Sequence, residues 1–256
     1  MARLPDKPTV SVIICSYNRP AGLRRAIASV QAQTYPVHEL IVVDDGSTDP
    51  AYALPPPAGV VWLRAVPHSR ERCGYPCLGY VKNLGIARAT GDLLAFLDDD
   101  DEWYPPKLER QVAAMRTTGC GLASAEARRG QGPSDPRRQD PLYLAEWARR
   151  PAPMPARLTR AELENENPLI HSSVVVERAL VHAAGGYDEL PLGGVRRDGR
   201  LLVEDWELWK RCLQATDCVF VSEPLLYYDG RSSGKTERRF LAGAVRWLTR
   251  LRQTLV

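Results

Sequence analysis

Short apolar runs recur through the first hundred residues and predict four strands. They cover residues 10–15, 40–43, 60–63 and 93–97 and are rich in β-branched and other aliphatic side chains. A nearly continuous apolar run of this length is typical of a strand that is buried on both faces, as in a parallel sheet. The pattern therefore favours a sheet with helices on both sides.

Helical periodicity fills the gaps between these runs. Four apolar side chains recur at the spacing of one helix face: Leu23, Ala26, Ile27 and Val30. A second helix is predicted over residues 80–89, with Gly91 as its stop signal. The order strand-helix-strand-strand-helix-strand predicts an α/β fold with a Rossmann-like central sheet that is largely parallel.

The second half of the chain has a less regular pattern and predicts a smaller mixed region. Leu108, Val112 and Met115 lie on one face of a predicted helix that Gly119 ends. The remaining predictions are strands over residues 120–125 and 170–176, a polar mobile loop over 128–141, and a helix over about 203–213.

Composition narrows the class of protein. The 256 residues, of which 44% are hydrophobic, suffice for one large core or for a core and a subdomain. A net charge of +3 gives the whole chain no electrostatic reason to bind nucleic acid. No apolar run approaches the ~18 residues of a membrane span, and the N-terminus lacks the apolar segment of a secretory signal. Six scattered cysteines, with only Cys73 and Cys77 close in sequence, indicate reduced thiols in a cytoplasmic protein.

An acidic cluster follows the fourth predicted strand. The stretch FLDDDDEWYPP places four carboxylates, Asp98 to Asp101, directly after an apolar run. Two carboxylates about 6 Å apart repel by roughly 3 kcal/mol at an effective dielectric of about 20, so a divalent cation would stabilise them. Two interpretations stay open from these residues alone. One is a metal or ligand site, and the other is a solvated acidic turn in which Asp100 or Asp101 caps the following helix.

Polar peptides follow three of the predicted strands. Ser16, Tyr17 and Asn18 follow the first strand. Asp44 and Asp45 follow the second, and the acidic cluster follows the fourth. Ligands of open α/β sheets bind beyond the carboxyl ends of the strands, so we expect these side chains to line one cleft. A ring, an amide and carboxylates suited to Mg²⁺ or Mn²⁺ favour a nucleoside diphosphate, and the lack of a G-x-G-x-x-G turn argues against a dinucleotide dehydrogenase.

Two longer stretches resemble a known enzyme family. VSVIICSYNRPAGLRRAIASVQAQTYPVHELIVVDDGSTD and GDLLAFLDDDDEWYPPKL are similar to the family-two inverting glycosyltransferases of the GT-A fold, and the resemblance extends over roughly residues 8–230. It implies a nucleoside-diphosphate-sugar donor, a divalent cation (Mn²⁺ or Mg²⁺) at a DXD motif, and transfer to an acceptor hydroxyl with inversion. UDP-sugars are the expected donors, and dTDP- and GDP-sugars stay open as alternatives.

The resemblance also implies which residues bind the donor. Tyr17 would stack on the base and Asp45 would contact it, with Ser16 and Asn18 beside them. Arg72 is a further candidate for contact with the nucleotide or the diphosphate.

The DXD motif of this resemblance would be Asp98, Asp99 and Asp100. Asp100 would be the metal ligand, and Asp99 would lie near the ribose. Because four aspartates stand in a row, the register of the motif is ambiguous by one residue.

A candidate catalytic base lies in the second half. The stretch LLVEDWELWKRC, residues 201–212, resembles the family's Glu-Asp motif at the start of a helix, which implies that Asp205 is the base with Glu204 beside it. An inverting transfer needs one carboxylate to take the proton from the attacking hydroxyl. From the residues alone, the alternative is that the two carboxylates only complement the helix dipole.

Three further side chains in the second half have two interpretations each. His171 would point towards the donor phosphates or the acceptor, or it would be a hydrogen-bonded core histidine. Trp206 and Trp209 would form a platform for the acceptor sugar, or Trp209 would belong to the helical core.

The C-terminal residues 231–256 are basic. GRSSGKT falls short of a P-loop, because Asp229 stands where the first glycine is needed. Arg231 and Lys235 would close over the leaving diphosphate, or they would be solvated loop charges. The tail is predicted to be a basic helix that docks on the domain or a partner, or that lies on an anionic membrane surface near a lipid-linked acceptor.

These observations predict a single GT-A domain over residues 1–256. Residues 8–101 would be its nucleotide-sugar-binding half, 102–230 its acceptor-binding and catalytic-base half, and 231–256 a basic loop and helix. The expected protein is a metal-dependent inverting glycosyltransferase of polysaccharide biosynthesis, acting on a glycan, lipid-linked or small-molecule acceptor. It would be cytoplasmic or peripheral at the inner membrane face. The alternatives are a nucleotidyltransferase and a non-catalytic module that binds sugar nucleotides.

Overall fold

The chain is an α/β structure built around one mixed sheet. The computed structural model describes residues 4–131, 134–135, 139–144, 154–164, 166–189 and 203–230. The strands are β1 (Val10–Ser16), β2 (Glu39–Asp44), β3 (Val60–Arg64), β4 (Leu93–Asp98), β5 (Glu102–Trp103), β6 (Leu122–Gly130), β7 (Arg157–Leu158), β8 (Val175–Glu177) and β9 (Cys218–Asp229). The α-helices are α1 (Pro20–Gln31), α2 (Ser69–Cys73), α3 (Leu78–Arg88), α4 (Lys107–Thr118), α5 (Arg178–Ala183) and α6 (Glu204–Cys212).

The sheet runs in the order β3-β2-β1-β4-β8-β6-β9-β5, and β7 also pairs with β9. The four strands of the first half, β1 to β4, form parallel pairs. Beyond β4 the pairs β4–β8 and β8–β6 are antiparallel, β6–β9 is parallel and β9–β5 is antiparallel. The predicted α/β class is therefore confirmed, and the largely parallel character belongs to the first half, where helices connect successive strands.

Helices cover both faces of the sheet. Ile13 of β1 packs into one apolar cluster with Val81 of α3 and Trp209 of α6. Ile14, the next residue, packs into a second cluster with Ile27 of α1 and with side chains of α4. Successive strand residues point to opposite faces, so each strand supplies both clusters. Burying one such aliphatic side chain contributes about 1.5–3 kcal/mol, which is why these runs need helices on both sides.

Local signals explain where several helices begin and end. α1 begins at Pro20, a residue favoured in the first turn. Gly119 follows α4 with a φ of 70°, in the left-handed region, as predicted for a helix stop. Gly91 has a different role, because α3 already ends at Arg88. A Cβ at Gly91 would lie 2.6 Å from Ser11 Oγ, so this glycine allows the chain to pack closely against β1.

Two predictions for the second half are wrong in detail, and three strands, β5, β7 and β9, were missed. The strand expected over residues 170–176 begins as a 3₁₀ turn, His171–Ser173, and only β8 is extended. The polar loop expected from residue 128 begins later, because β6 continues to Gly130 beside β9. No prediction covered β9, since Glu223 and Pro224 interrupt its apolar pattern.

The alternative interpretation, in which Asp100 or Asp101 caps α4, is also wrong. Pro106 precedes the helix, and no side chain caps it. Strand β5 separates Asp100 and Asp101 from the helix start, so neither carboxylate is next to the first turn.

The C-terminal predictions concern residues that are not described. Residues 231–256, with Arg231, Lys235 and the predicted basic helix, lie outside the described residues. Within the described ranges, no helix combines the length and the apolar character that crossing a bilayer requires. The six cysteines all lie within those ranges and are free thiols.

Candidate active site

The carboxyl ends of β1, β2 and β4 meet at one edge of the sheet. The strand register places Ser16 beside Asp44 and Cys15 beside Asp98. Asp45, one residue beyond β2, donates its backbone N–H to the carbonyl oxygen of Ser16 at 3.0 Å. The polar peptides after these strands therefore lie together, where ligands of α/β sheets bind.

The guanidinium group of Arg19 contacts the two middle carboxylates of the acidic cluster. Arg19 Nη1 lies 3.1 Å from Asp99 Oδ1 and 2.7 Å from Asp100 Oδ2. Asp99 also accepts a hydrogen bond from the buried Ser16 hydroxyl at 2.7 Å. Burial raises the pKa of Asp99 to about 6, against the attraction of Arg19. Oxygens of two carboxylates thus converge on one positively charged nitrogen.

This convergence fits a divalent cation. Mg²⁺ and Mn²⁺ prefer oxygen ligands and usually bind one or two carboxylates together with substrate phosphates. Asp99 and Asp100 already direct oxygens towards a single cationic group. Among the described residues, no group of three or more His, Cys, Asp or Glu side chains could hold a metal by itself. Asp100 remains the predicted ligand. For an ion to bind there, Arg19 would have to release the carboxylate oxygen of Asp100.

Asp101 is buried and ties the acidic cluster to the second half. Its Oδ2 accepts a hydrogen bond from Ser172 Oγ at 2.5 Å, and its Oδ1 accepts one from the backbone N–H of Asp229 at 2.9 Å. Burial, followed by repulsion from Asp100 and Asp98, raises the pKa of Asp101 well above its ordinary value. The fourth aspartate therefore joins the turn before β8 to the end of β9.

His171 connects the first aspartate of the motif to the core of the second half. Its Nδ1 lies 3.1 Å from Asp98 Oδ1, and its Nε2 lies 3.1 Å from the Tyr187 hydroxyl. Its ring packs on Phe96 and stacks on Trp209. Desolvation opposes ionisation of Asp98, but His171 overcomes it and holds the pKa of that carboxyl below its ordinary value. The structure supports the hydrogen-bonded core histidine, and it places that histidine against Asp98, the first residue of the predicted DXD motif.

Asn18 joins the loops that follow β1 and β2. Its φ of 52° lies in the left-handed region, which asparagine tolerates better than most residues. Its Oδ1 accepts the backbone N–H groups of Thr48 and Asp49, both at 2.9 Å, and its own N–H donates to Ser47 Oγ. The predicted nucleotide-contacting amide therefore organises the loop, beside Tyr17, which is 50% exposed.

Asp45 and Arg72 are linked through the short helix α2. Asp45 accepts hydrogen bonds from the backbone N–H of Ser69 at 2.7 Å and from its hydroxyl at 2.6 Å. Arg72 lies on the same helix, with its guanidinium carbon 6.0 Å from the centroid of the Tyr80 ring. Ser69, which sequence reasoning missed, orients the carboxylate that is predicted to contact the base.

Asp205 lies in the first turn of α6 and is 9% exposed. Its Oδ1 accepts hydrogen bonds from the Trp206 backbone N–H at 2.6 Å and from the Asn167 amide at 3.5 Å. Burial and then the neighbouring Glu204 raise the pKa of Asp205 to about 6, while Lys82 lowers it. A partly desolvated carboxylate that titrates near neutral pH is suited to general-base catalysis.

Lys82 of α3 forms a buried ion pair with the residue next to the candidate base. Its Nζ lies 2.9 Å from Glu204 Oε1 and 4.9 Å from the centroid of the Tyr187 ring. Sequence reasoning missed this pair. The available signal was a lysine that directly follows Tyr80 and Val81 in the otherwise apolar start of α3.

The two tryptophans of α6 have different environments. Trp209 is fully buried and packs against the rings of Phe96 and Tyr187, which supports its core interpretation. Trp206 is partly exposed, and its indole N–H donates to the carbonyl oxygen of Leu163 at 2.6 Å. Only Trp206 stays a candidate for contact with an acceptor sugar.

Comparisons with known proteins point to one family. The sequence model described as "Glycosyl transferase family 2" matches residues 11–54 and 77–182, more than half of the chain. The chain is 39% identical over 112 residues to an uncharacterized glycosyltransferase of Nostoc sp.. It is 36% identical over 118 residues to a putative teichuronic acid biosynthesis glycosyltransferase, TuaG, of Bacillus subtilis. The matches cover 43% and 46% of this chain but only 33% and 46% of these relatives, so the chain matches less than half of either.

Solved structures share the fold at low identity. The mannosyltransferase PcManGT from Pyrobaculum calidifontis, in complex with GDP-Man and Mn²⁺, has a TM-score of 0.62 at 18% identity, with 96% of this chain and 66% of that one covered. S. aureus TarS 1–349 in complex with UDP-GlcNAc has a TM-score of 0.61 at 19% identity, with 87% and 59% covered. These likenesses confirm the GT-A fold alone, and the match to the family model decides the rest: the chain belongs to glycosyl transferase family 2.

Proposed function

We propose that this chain is an inverting glycosyltransferase that moves a sugar from a nucleoside-diphosphate sugar to an acceptor hydroxyl. The observation that carries the proposal is a pair of carboxylate sites with different tasks. In the acidic cluster, Asp99 and Asp100 direct their carboxylates towards the guanidinium of Arg19. Asp205 is a buried carboxylate whose pKa is about 6. His171 and Lys82 lie between these two sites. Family membership supports the same assignment.

In the proposed reaction the acceptor oxygen attacks the anomeric carbon, and the bond from that carbon to the diphosphate oxygen breaks. Asp205 takes the proton of the attacking hydroxyl, and the nucleoside diphosphate leaves with the bonding electrons. A divalent cation held by Asp100, next to Asp99, would supply positive charge for the leaving diphosphate. Attack from the face opposite the leaving group inverts the anomeric configuration.

The donor would bind beyond the ends of β1 and β2. Tyr17 is exposed enough to stack on a base, and Asp45 and Arg72 would contact the nucleotide. Complexes of the structural neighbours with UDP-GlcNAc and with GDP-Man and Mn²⁺ support a nucleoside-diphosphate sugar and a divalent cation. UDP is the first nucleotide to test, followed by GDP and dTDP.

The acceptor side is proposed from the relatives and from one exposed ring. TuaG is named for teichuronic acid biosynthesis, which supports a role in polysaccharide biosynthesis with a glycan or lipid-linked acceptor. Trp206, partly exposed beside the candidate base, would stack on the acceptor sugar.

The base assignment predicts the effect of Asp205→Asn. The amide keeps the hydrogen bond from the Trp206 backbone N–H but accepts no proton, so kcat should fall about 10²- to 10⁴-fold with donor binding retained. Release of nucleoside diphosphate in the presence of acceptor measures the rate, and NMR of the product gives the anomeric configuration. Glu207→Gln, on the same turn of α6, is the matched control and should keep near wild-type transfer.

Two outcomes would contradict this proposal. One is a wild-type rate of transfer for Asp205→Asn. The other is release of pyrophosphate from a nucleoside triphosphate in the presence of a sugar phosphate, with no transfer from a nucleoside-diphosphate sugar, which would assign the site to nucleotidyl transfer.

A further inference from the structure

Lys82 is a buried cation that joins the two halves of the chain. Its side chain is 5% exposed, and its Nζ donates a hydrogen bond to Glu204 Oε1, 122 residues later in the sequence. Burial alone would lower the pKa of Lys82, but Glu204, and then Asp98 and Asp205, raise it. A buried ammonium without such partners would lose its proton, so the pair keeps both groups charged.

Glu204 and Asp205 place two adjacent carboxylates in the buried first turn of α6. Desolvation opposes ionisation of Glu204, but Lys82 overcomes it and lowers the pKa of that carboxyl. The titratable groups that face Asp205 come from four elements: Glu204 of α6, Lys82 of α3, His171 of the 3₁₀ turn before β8, and Tyr187 of the segment after α5. The ammonium of Lys82 therefore offsets a repulsion that would otherwise favour protonation of the base.

We propose that Lys82 is a positioning residue for Asp205, because it holds Glu204 ionised, fixes the first turn of α6 and so keeps Asp205 able to accept a proton. This inference rests on the proposed function of Asp205 as the base. Two neighbouring buried carboxylates without a cation would share one proton near neutral pH, and that proton would occupy the base before the acceptor arrives.

A role of this kind changes the pH dependence of transfer. Asp205 must be ionised, so activity is lost as the pH falls through its pKa of about 6. Lys82 lowers that pKa, so Lys82→Met should move the acid limb of the kcat profile to higher pH. For a shift of about one unit, from a pKa of about 6, transfer at pH 6 should fall about fivefold more than transfer at pH 8.

Glu204 has the opposite influence, so its removal gives an independent test. Glu204 raises the pKa of Asp205, and Glu204→Gln should move the acid limb to lower pH. The double variant Lys82→Met/Glu204→Gln removes both charges, so its acid limb should return towards the wild-type position. Lys82→Arg keeps the charge and should keep the limb in place.

The experiment compares kcat against pH for these variants, with thermal melts to verify that each is folded. Lys210→Met is the matched control. Lys210 also pairs with a glutamate of α6, because its Nζ lies 2.8 Å from Glu207 Oε1, and the side chains of Lys210 and Glu207 are both largely buried. We expect its acid limb to coincide with that of the wild type.

A purely structural ion pair would give a different result. If Lys82→Met lowers kcat by the same factor at every pH, the proposal is overturned. If Lys82→Met does not fold, the Glu204→Gln profile decides, and an acid limb that does not move to lower pH overturns the proposal. A wild-type transfer rate for Asp205→Asn would instead contradict the base assignment itself, whatever the Lys82 variants do.

Discussion

At the scale of single residues, four identical side chains in a row have three kinds of partner. Asp98 lies on His171, Asp99 and Asp100 share Arg19, and Asp101 is buried against β9. The sequence identifies the acidic cluster as unusual, because four like charges after a buried strand need a counter-charge. It leaves the individual roles open, since each role depends on a partner from another part of the chain.

The contacts of Arg19 lead to a prediction about the affinity of the site for Mn²⁺. Its guanidinium now holds the oxygens of Asp99 and Asp100, so Arg19→Ala should bind Mn²⁺ more tightly than the wild type when no nucleotide is present. Arg19 is half-exposed, and exposed ion pairs contribute about 0.2–1 kcal/mol, so the gain should be about 1.4- to fivefold in Kd. Titration of Mn²⁺ followed by electron paramagnetic resonance measures it.

The matched control for this titration is Arg25→Ala. Arg25 lies on α1, which begins directly after Arg19, but it pairs with Glu102, at 3.1 Å. Its loss should leave the Kd for Mn²⁺ unchanged. Equal or weaker Mn²⁺ binding by Arg19→Ala would show that the guanidinium does not compete with the ion.

At the scale of elements, helix α1 is packed directly on the acidic cluster. A Cβ added at Gly22 would lie 2.3 Å from the backbone carbonyl oxygen of Asp99. Backbone cannot move aside as a flexible side chain can, so the absence of a side chain at Gly22 lets α1 approach the motif. Sequence periodicity predicts α1 well, because its apolar stripe repeats locally, but it contains no sign of this contact.

Gly22→Ala should therefore disturb the site through the helix. Alanine is favoured over glycine within a helix by about 1 kcal/mol, yet the clash with Asp99 should outweigh that gain and lower both Tm and Mn²⁺ affinity. Ala28→Gly, at an exposed position of the same helix, is the control. It should lower stability by about 1 kcal/mol and leave Mn²⁺ affinity unchanged. Unchanged Mn²⁺ affinity in Gly22→Ala would contradict this role of the close contact.

At the scale of the whole molecule, one sheet carries strands from both predicted halves. β4 of the first half pairs with β8 of the second, and Lys82 of α3 pairs with Glu204 of α6. The apolar clusters on the two faces also contain residues from both halves. Within the part of the chain that the structure describes, a shared sheet and shared cores favour one cooperative domain, and a single domain over residues 1–256 stays a prediction.

This organisation predicts a single unfolding transition. The donor nucleotide should raise the Tm of that one transition. Far-ultraviolet circular dichroism and tryptophan fluorescence should give the same Tm, because Trp62 of β3 and Trp209 of α6 report on the first and the second half of the chain. UDP with Mn²⁺ at a hundredfold excess over Kd should stabilise the native state by about 2.7 kcal/mol.

The control for this measurement is a panel of UDP, GDP, dTDP and CDP, each with and without Mn²⁺. The nucleotide that matches the donor should give the largest shift, and Asp100→Ala should lose the part of that shift that requires Mn²⁺. A panel in which no nucleotide changes Tm would contradict the donor site, and two separate transitions would contradict the single domain.

The sequence by itself determined the first half of the fold and the position of the candidate site. Strands β1 to β4 and helices α1, α3 and α4 follow from apolar periodicity, which is a local property. The parallel order then brings the polar strand ends to one edge of the sheet.

Only the tertiary structure decided the mixed second half and the partners within the site. β9 carries a proline and a glutamate within its strand, and β8 is three residues long, so neither leaves a clear pattern. The contacts of Arg19 with the acidic cluster, of His171 with Asp98 and of Lys82 with Glu204 join residues that are 73 to 122 positions apart. Such contacts follow from packing of the complete chain, and no local periodicity encodes them.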